Sequence, residues 1–112
     1  MNVPTEQIEE LKQLFPGVRR CDEGGYAYFL LPDLPLPTGC TPSKTDVLLC
    51  PMQRDGYPSR LFFAQVVQSP VSRNWNTACR ILERNWHVFS WIVDQPGLRL
   101  AQMVTAHLEA LQ

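Results

Sequence analysis

Two apolar runs separated by turn-forming residues dominate the middle of the chain. Residues 47–50 (Val-Leu-Leu-Cys) are continuously apolar, which is typical of a strand buried on both faces. Pro51 ends this run, because proline has no N–H to donate to a neighbouring strand. Asp55-Gly56 favours a tight turn, and Tyr57-Pro58 favours an extended segment after it. Residues 61–67 are rich in aromatic and β-branched side chains, so the pattern predicts two antiparallel neighbours in the middle of a small sheet.

The N-terminal third predicts one helix and one hairpin. Apolar residues at helical spacing predict a helix over about residues 5–15, with Thr5 or Asn2 as its N-cap. Residues 18–23 and 26–31 predict two strands joined by a Gly-Gly turn. Proline recurs through residues 32–42, which therefore predict a stiff, extended loop leading to the next strand.

The C-terminal third changes in character after the apolar runs. Residues 68–76 are polar and predict a loop, and residues 77–86 predict a helical turn or two. Pro96 suits a helix N-terminus, and apolar residues at three- and four-residue spacing predict a helix over about residues 97–111. The predicted fold class is α+β: one domain over residues 1–112, with an N-terminal helix, an antiparallel meander of three to four strands, and a C-terminal helix packed on the sheet.

Composition and charge narrow the classes of function. The chain has 112 residues and a formal net charge of -1, which gives no electrostatic attraction for nucleic acid or an anionic membrane. No apolar run approaches the roughly 18 residues that span a bilayer. Residues 1–14 are charged and lack the apolar segment of a signal peptide, so we expect a cytoplasmic location.

Cysteine is the residue type in this chain whose side chain offers the most reactive group. No two of the four cysteines have the CxxC spacing of a zinc site or a redox motif, and a disulfide framework is not expected without a secretory signal. We therefore expect reduced thiols, no metal and no cofactor. Cys50 lies inside a predicted strand and is expected to be inert. The four positions are Cys21, Cys40, Cys50 and Cys79.

The order of these elements and one set of motifs resemble the ubiquitin-conjugating (E2, UBC-like) family. In that family an N-terminal helix precedes a four-stranded meander, a turn bearing Tyr-Pro leads to the last strand, and a loop with the active-site cysteine follows. The resemblance is closer to a prokaryotic branch, the E2-like family E of bacterial ubiquitin-like operons, and covers roughly residues 25–111. The matching residues are Leu36-Pro37-Thr38-Gly39, Asp46-Val47-Leu48-Leu49, Gly56-Tyr57-Pro58, Trp75, Trp86, Trp91 and Pro96-Gly97-Leu98.

The resemblance implies thioester chemistry at Cys79, which follows the Tyr-Pro strand. An E2-like component accepts a ubiquitin-like modifier from an activating (E1-like) enzyme on its thiol and passes the acyl group to an amine. A helix N-terminus and Arg80 would then activate the thiol, while Asn74 or Asn76 would donate to the oxyanion. His87 would orient a donor or act as a base.

Two departures from the family leave a second hypothesis open. The His-Pro-Asn tripeptide of typical E2 enzymes is absent. An alternative alignment places Cys79-Arg80-Ile81 at the Ser-Arg-His position of the bacterial branch, which makes Cys79 incidental and matches His87 to the histidine of the branch. The chain is then a non-catalytic module that binds an E1-like enzyme or a ubiquitin-like protein. The residues that we predict to bind partners are Tyr57, Pro58, Trp75 and Trp86.

Overall fold

A computed structural model describes residues 3–112 and shows an α+β fold with a four-stranded antiparallel sheet. The strands lie in the order β1-β2-β3-β4, and a separate two-stranded hairpin, β5-β6, follows them in the chain. This confirms the predicted fold class at the level of an α+β fold with two helices and an antiparallel sheet of four strands. The elements are α1 (Thr5–Leu14), β1 (Arg19–Glu23), β2 (Tyr26–Pro35), β3 (Lys44–Cys50), β4 (Arg60–Phe63), β5 (Cys79–Ile81), β6 (Arg84–Trp86) and α2 (Leu100–Glu109).

Strand β3 is the centre of the sheet, as its apolar run predicted. Residues 47–50 have no exposed surface, and Leu49 pairs with Phe29 of β2 on one side and with Leu61 of β4 on the other. Because successive side chains of a strand point to opposite faces, a run buried at every position requires a covering layer on each face of the sheet.

Two apolar clusters supply those covering layers. On one face, Leu49 and Phe63 pack with Leu11 of α1 and Val104 of α2. On the other face, the side chains of β2, β3 and β4 pack with residues of the β5-β6 hairpin and of the segment after it; the buried members are Tyr28, Leu48, Cys50, Phe62, Ile81, Trp86 and Val88. The sheet therefore lies between a helical layer and a hairpin layer, which we call the helix side and the hairpin side.

The connection between β3 and β4 folds into a tight turn at Asp55-Gly56. Arg54 and Tyr57 exchange both backbone hydrogen bonds, at 3.0 and 2.9 Å. Asp55 and Gly56 have φ values of 54° and 86°, as a type I′ turn requires of its two central residues. The turn dipeptide identified in the sequence therefore has the geometry expected of it, and it fixes the direction in which Arg54 leaves the backbone.

The prediction of a helical turn within residues 77–86 was wrong. This segment forms the β5-β6 hairpin, in which Cys79 pairs with Trp86 and Ile81 pairs with Arg84. Leu82 and Glu83 form its turn with positive φ values of 54° and 62°. Ile81 and Trp86 are buried against the hairpin side of the sheet, and this tertiary packing outweighs the local helical preference.

Several predicted boundaries also need correction. Strand β2 continues to Pro35 past an irregularity in register between Leu31 and Leu34, so part of the predicted loop is strand. Strand β4 ends at Phe63 and lies at the end of the sheet order, not in its middle.

The two helices also begin differently from the prediction. Thr5 is the first residue of α1 and Pro4 takes the N-cap position, while Asn2, the other predicted cap, lies outside the described residues. Helix α2 begins at Leu100, so Pro96 precedes the helix by several residues and is not in its first turn. Within residues 3–112, no helix is long and apolar enough to cross a membrane.

The Asp55-Gly56 turn gives a direct test of the fold. Substitution Gly56→Ala is expected to lower the free energy of unfolding by about 1–2 kcal/mol, because an L-residue is strained at its φ of 86° even though a Cβ would meet no atom within 4 Å. Gly17→Ala is the matched control. A Cβ there would make ordinary contact with Pro32 at 3.6 Å and would not require positive φ, so we expect a change of no more than about 0.5 kcal/mol. Urea denaturation of both variants measures the difference, and equal effects would contradict the assigned turn.

Candidate functional site

Cys79 lies half-buried at the start of β5, on the hairpin side of the sheet. Its Sγ accepts a hydrogen bond from Nη2 of Arg54 at 3.3 Å. The predicted helix N-terminus beside this thiol is absent, because residues 79–81 are a strand and α2 begins only at Leu100. The positive group next to the sulfur is therefore the side chain of Arg54, 25 residues earlier in the chain. Arg80, the predicted neighbour, instead donates a hydrogen bond to Asn85 Oδ1 at 3.3 Å.

Arg54 is held in place by contacts on all parts of its guanidinium group. Nε donates to Asp55 Oδ2 at 3.2 Å, and Nη1 donates to the hydroxyl of Tyr28. The group also lies over aromatic rings, 4.8 Å from the ring centroid of Tyr26 and 5.4 Å from that of Phe62. Hydrogen bonds and cation–π contacts together fix the orientation of the charge that faces the sulfur.

The protonation states of this cluster follow from burial and from the facing charges. Burial raises the pKa of Tyr28 to about 12, and the neighbouring Arg54 only partly opposes that effect. Burial alone would lower the pKa of Arg54, but Tyr28, Cys79 and Asp55 outweigh it, so that this pKa is raised. At neutral pH the cluster therefore holds a neutral phenol and a charged guanidinium beside the thiol.

This arrangement suits a thiol that takes part in acyl transfer. A guanidinium donor compensates negative charge on a thiolate sulfur, and also on the oxyanion that forms on the carbon bonded to that sulfur. The compensation is more effective where water is partly excluded. Cys79 retains partial access to solvent, whereas Cys50 is sealed inside the same cluster of side chains. The site can therefore present a nucleophile and a fixed positive donor to a reactant that arrives from outside.

The other residues predicted for catalysis are not connected to this thiol. Asn76 Oδ1 accepts a hydrogen bond from Ser90 Oγ at 3.2 Å, and the carbonyl of Asn74 accepts from Ser90 N at 3.0 Å. The backbone of His87 pairs in both directions with Phe63 at 2.7 Å. Among residues 3–112, no hydrogen bond joins Cys79 to either asparagine or to His87, so these residues support the segment beyond β4 and do not complete a site at the sulfur.

The four residues predicted to bind partners differ in their accessibility. Pro58 is exposed, and Tyr57 is half-buried with its ring 4.0 Å from the guanidinium carbon of Arg60. Trp75 is half-buried and packs edge-on against Phe63. Trp86 is fully buried, so its prediction as a contact residue needs correction. Its indole Nε1 donates to Ile81 O at 3.0 Å, and the ring fills the hairpin-side core.

Sequence reasoning missed Arg54 and a second polar pair, Ser59 and His107. Arg54 directly precedes the Asp-Gly turn, which was the only sequence signal that it projects from a fixed position. Ser59 Oγ and His107 Nε2 are 2.9 Å apart, and both residues are sealed, with 4% and 3% of their surfaces exposed. Burial and the nearby Arg60 lower the pKa of His107 to about 4, so the pair is neutral at pH 7. We interpret it as a structural bond between the start of β4 and α2.

The remaining thiols and acidic groups offer no further reactive centre in the described part of the chain. Cys40 and Cys50 are buried, and burial raises the pKa of both thiols. Cys21 is half-buried on β1. Residues 3–112 contain no group of three or more His, Cys, Asp or Glu side chains that could hold a metal ion.

Thiol exposure gives the first test of this site. Brief treatment of the native protein with iodoacetamide is expected to modify Cys79 and Cys21 and to spare Cys40 and Cys50, which react only after denaturation. Peptide mass spectrometry measures the four extents separately. A Cys79 as slow as Cys50 would show that the sulfur is inaccessible and would remove it as a candidate.

The buried His107 predicts a specific loss of stability in acid. Its pKa is about 4 in the folded state and near 6.5 when unfolded, so the unfolded chain binds an extra proton as the pH falls through that window. This group should therefore lower the free energy of unfolding by about 3 kcal/mol between pH 7 and pH 4. His107→Gln should flatten that part of the curve, measured by urea denaturation across the range. His87→Gln is the control that should keep it, and an unchanged curve in His107→Gln would disprove the assignment.

Comparison with known proteins does not assign this chain to a family. No family model, curated protein or solved structure matches the chain. What the chain does must therefore be inferred from its own residues, and the contact between Cys79 and Arg54 is the strongest chemical feature among them.

Proposed function

We propose that the protein is an E2-like component of a bacterial ubiquitin-like conjugation system that carries the modifier as a thioester on Cys79. The observation that carries this proposal is the half-buried residue Cys79, whose sulfur lies 3.3 Å from Nη2 of a charged and immobilised Arg54. Its partners would be an E1-like activating enzyme and a ubiquitin-like protein. No cofactor is needed, because the reactant arrives already activated.

The architecture is compatible with the UBC-like arrangement that the sequence motifs suggest. Helix α1 precedes four antiparallel strands in sequential order, the Tyr57-Pro58 segment leads into β4, and Cys79 comes after the last strand of that sheet. The β5-β6 hairpin, which covers the second face of the sheet, is the feature in which this chain departs from the expected loop.

The proposed transfer consists of an exchange of thioesters. The thiolate of Cys79 attacks the carbonyl carbon of the modifier's C-terminal thioester on the activating enzyme, and the carbonyl oxygen becomes an oxyanion. The bond from that carbon to the enzyme's sulfur then breaks, so that the enzyme leaves as a thiolate and the modifier stays on Cys79. In the second step an amine attacks the new thioester, Cys79 leaves as a thiolate, and the amine's proton passes to solvent.

In this proposal Arg54 stabilises the oxyanion, the role that the resemblance implies for Asn74 or Asn76. Its Nη2 lies against the sulfur, and the oxyanion forms on the carbon bonded to that sulfur, within reach of the same guanidinium group. The side chain of Asn76 is held by Ser90 instead. An orienting Asp55 and the aromatic rings around Arg54 keep the donor fixed, so little reorganisation accompanies the reaction.

Transfer from a synthetic donor tests the proposal without the native activating enzyme. A peptide that ends in Gly-Gly as a small-molecule thioester is expected to form an adduct with the wild-type protein that dithiothreitol removes. Cys79→Ala should abolish the adduct, and Cys21→Ala, which removes the other half-buried thiol, should leave it unchanged. Intact-mass spectrometry measures the adduct, and equal loss in both variants or in neither would reject Cys79 as the carrier.

The role of Arg54 is tested in the same assay. Arg54→Met should slow adduct formation by about a hundredfold, which is the effect of losing one oxyanion donor, while Arg54→Lys should recover part of the rate because it keeps the charge. Circular dichroism checks that both variants are folded.

The second hypothesis, a non-catalytic E2-fold module, predicts a different result with the cognate proteins. It requires stable binding to the E1-like enzyme or to the ubiquitin-like protein with no thioester adduct at any residue. Gel filtration with the activating enzyme, ATP and modifier, followed by non-reducing electrophoresis, separates the two functions.

A further inference from the structure

A continuous groove follows the outer surface of α2 on the helix side of the sheet. One cavity of about 410 Å³ lies between the end of α1 and α2, and a second of about 230 Å³ lies between α2 and residues 91–95. Gln95, Ala106 and Glu109 line both cavities, so the two form one surface, which we call the α2 groove.

Two of the three large apolar side chains exposed within residues 3–112 border this groove. Leu14, at the end of α1, lines the first cavity, and Ile92 lines the second; each is 59% exposed. The third, Val66, is 47% exposed and lines a different cavity beyond β4. Single exposed apolar residues are normal on a protein surface. These two lie on opposite sides of one groove and therefore add apolar surface to both of its ends.

The charged residues at the groove are predominantly acidic. Asp94 and Glu109 are exposed, and neither forms an ion pair with any residue in the described range 3–112. Glu10 is paired with Arg99 at 3.0 Å, which leaves no uncompensated positive charge among the residues that line the two cavities. A partner at this surface would therefore meet apolar side chains and two unpaired carboxylates. A positive group also lies beside them, because the half-buried guanidinium of Arg73 sits 4.4 Å from the ring centroid of Trp91 and donates to the carbonyl of Ala110.

We propose that the α2 groove binds a basic amphipathic helix of a partner protein. The apolar side chains of such a helix would pack on Leu14, Ile92 and the small Ala106, and its lysine or arginine residues would face Asp94 and Glu109. The unpaired carboxylates of Asp94 and Glu109 disfavour an anionic membrane, because like charges repel. A second copy of this chain is distinguished from the proposed helix by the experiment.

This docking surface goes beyond the proposed carrier function and is independent of it. Cys79 packs with the hairpin-side cluster, whereas α1 and α2 pack with the helix-side cluster on the opposite face of the sheet. A helix bound in the groove would therefore leave the thiol accessible.

The experiment uses a designed 18-residue helical peptide of leucine and lysine, with a leucine and glutamate peptide of the same apolar pattern as its counterpart. In ¹⁵N-labelled protein, the lysine peptide is expected to shift the amide signals of Ile92, Ala101 and Ala106 and not those of β1. The double variant Leu14→Glu/Ile92→Glu should bind at least about tenfold more weakly, whereas Val66→Glu should bind as the wild type does. Asp94→Asn/Glu109→Gln should weaken binding and reduce its dependence on salt.

Several results would overturn the proposal. These are no binding of the lysine peptide, equal binding of the glutamate peptide, or equal loss of affinity in Val66→Glu. Sedimentation that shows a dimer dissolved by Leu14→Glu/Ile92→Glu would assign the groove to a second copy instead. Co-sedimentation with phosphatidylcholine or phosphatidylglycerol vesicles that the same double variant abolishes would assign it to a lipid surface.

Discussion

The complete burial of residues 47–50 is the constraint on which the rest of this structure depends. A strand with apolar side chains at every position cannot leave either face of its sheet in water, because exposure of each such side chain would cost about 1.5–3 kcal/mol. Helices α1 and α2 cover one face, and the β5-β6 hairpin with the residues after it covers the other. The second layer is what brings Cys79 to the sheet.

The candidate site forms where the β5-β6 hairpin packs on the sheet. Arg54 leaves a tight turn between β3 and β4, crosses the rings of Tyr26 and Phe62, and reaches the sulfur of Cys79 on the covering hairpin. The side chain of Arg54, which lies between β3 and β4 in the chain, therefore contacts both β2 and β5. The same contacts that stabilise the hairpin against the sheet also place a fixed positive charge beside a partly accessible thiol. The residues of the proposed chemistry are therefore also residues that attach the hairpin to the sheet.

The two sides of the sheet carry different potential functions. The hairpin side holds the thiol and its guanidinium partner, while the helix side presents an apolar groove with an acidic rim. Between the sheet and α2, the neutral pair of Ser59 and His107 is buried and inaccessible, so it contributes to the attachment of α2 and not to reactivity. In the proposed function, this separation lets a helix bind on one face of the sheet while the thiol on the other face stays accessible.

The sequence by itself determined the elements whose signals are local. The apolar run of β3, the Asp-Gly turn, the two β-hairpin strands near the N-terminus and the two amphipathic helices were all predictable, because propensity, periodicity and turn chemistry agree within each segment. Cys79 was predicted as the reactive thiol from its place after the Tyr-Pro segment, and this stays a prediction. The conformation of residues 77–86 was not predictable from the sequence. It depends on the surface that Ile81 and Trp86 cover, and side chains of β2, β3 and β4 form that surface. Only the tertiary structure could pair Cys79 with Arg54 and separate it from Asn74, Asn76 and His87, because a contact across 25 residues depends on how the hairpin docks and not on any spacing in the chain.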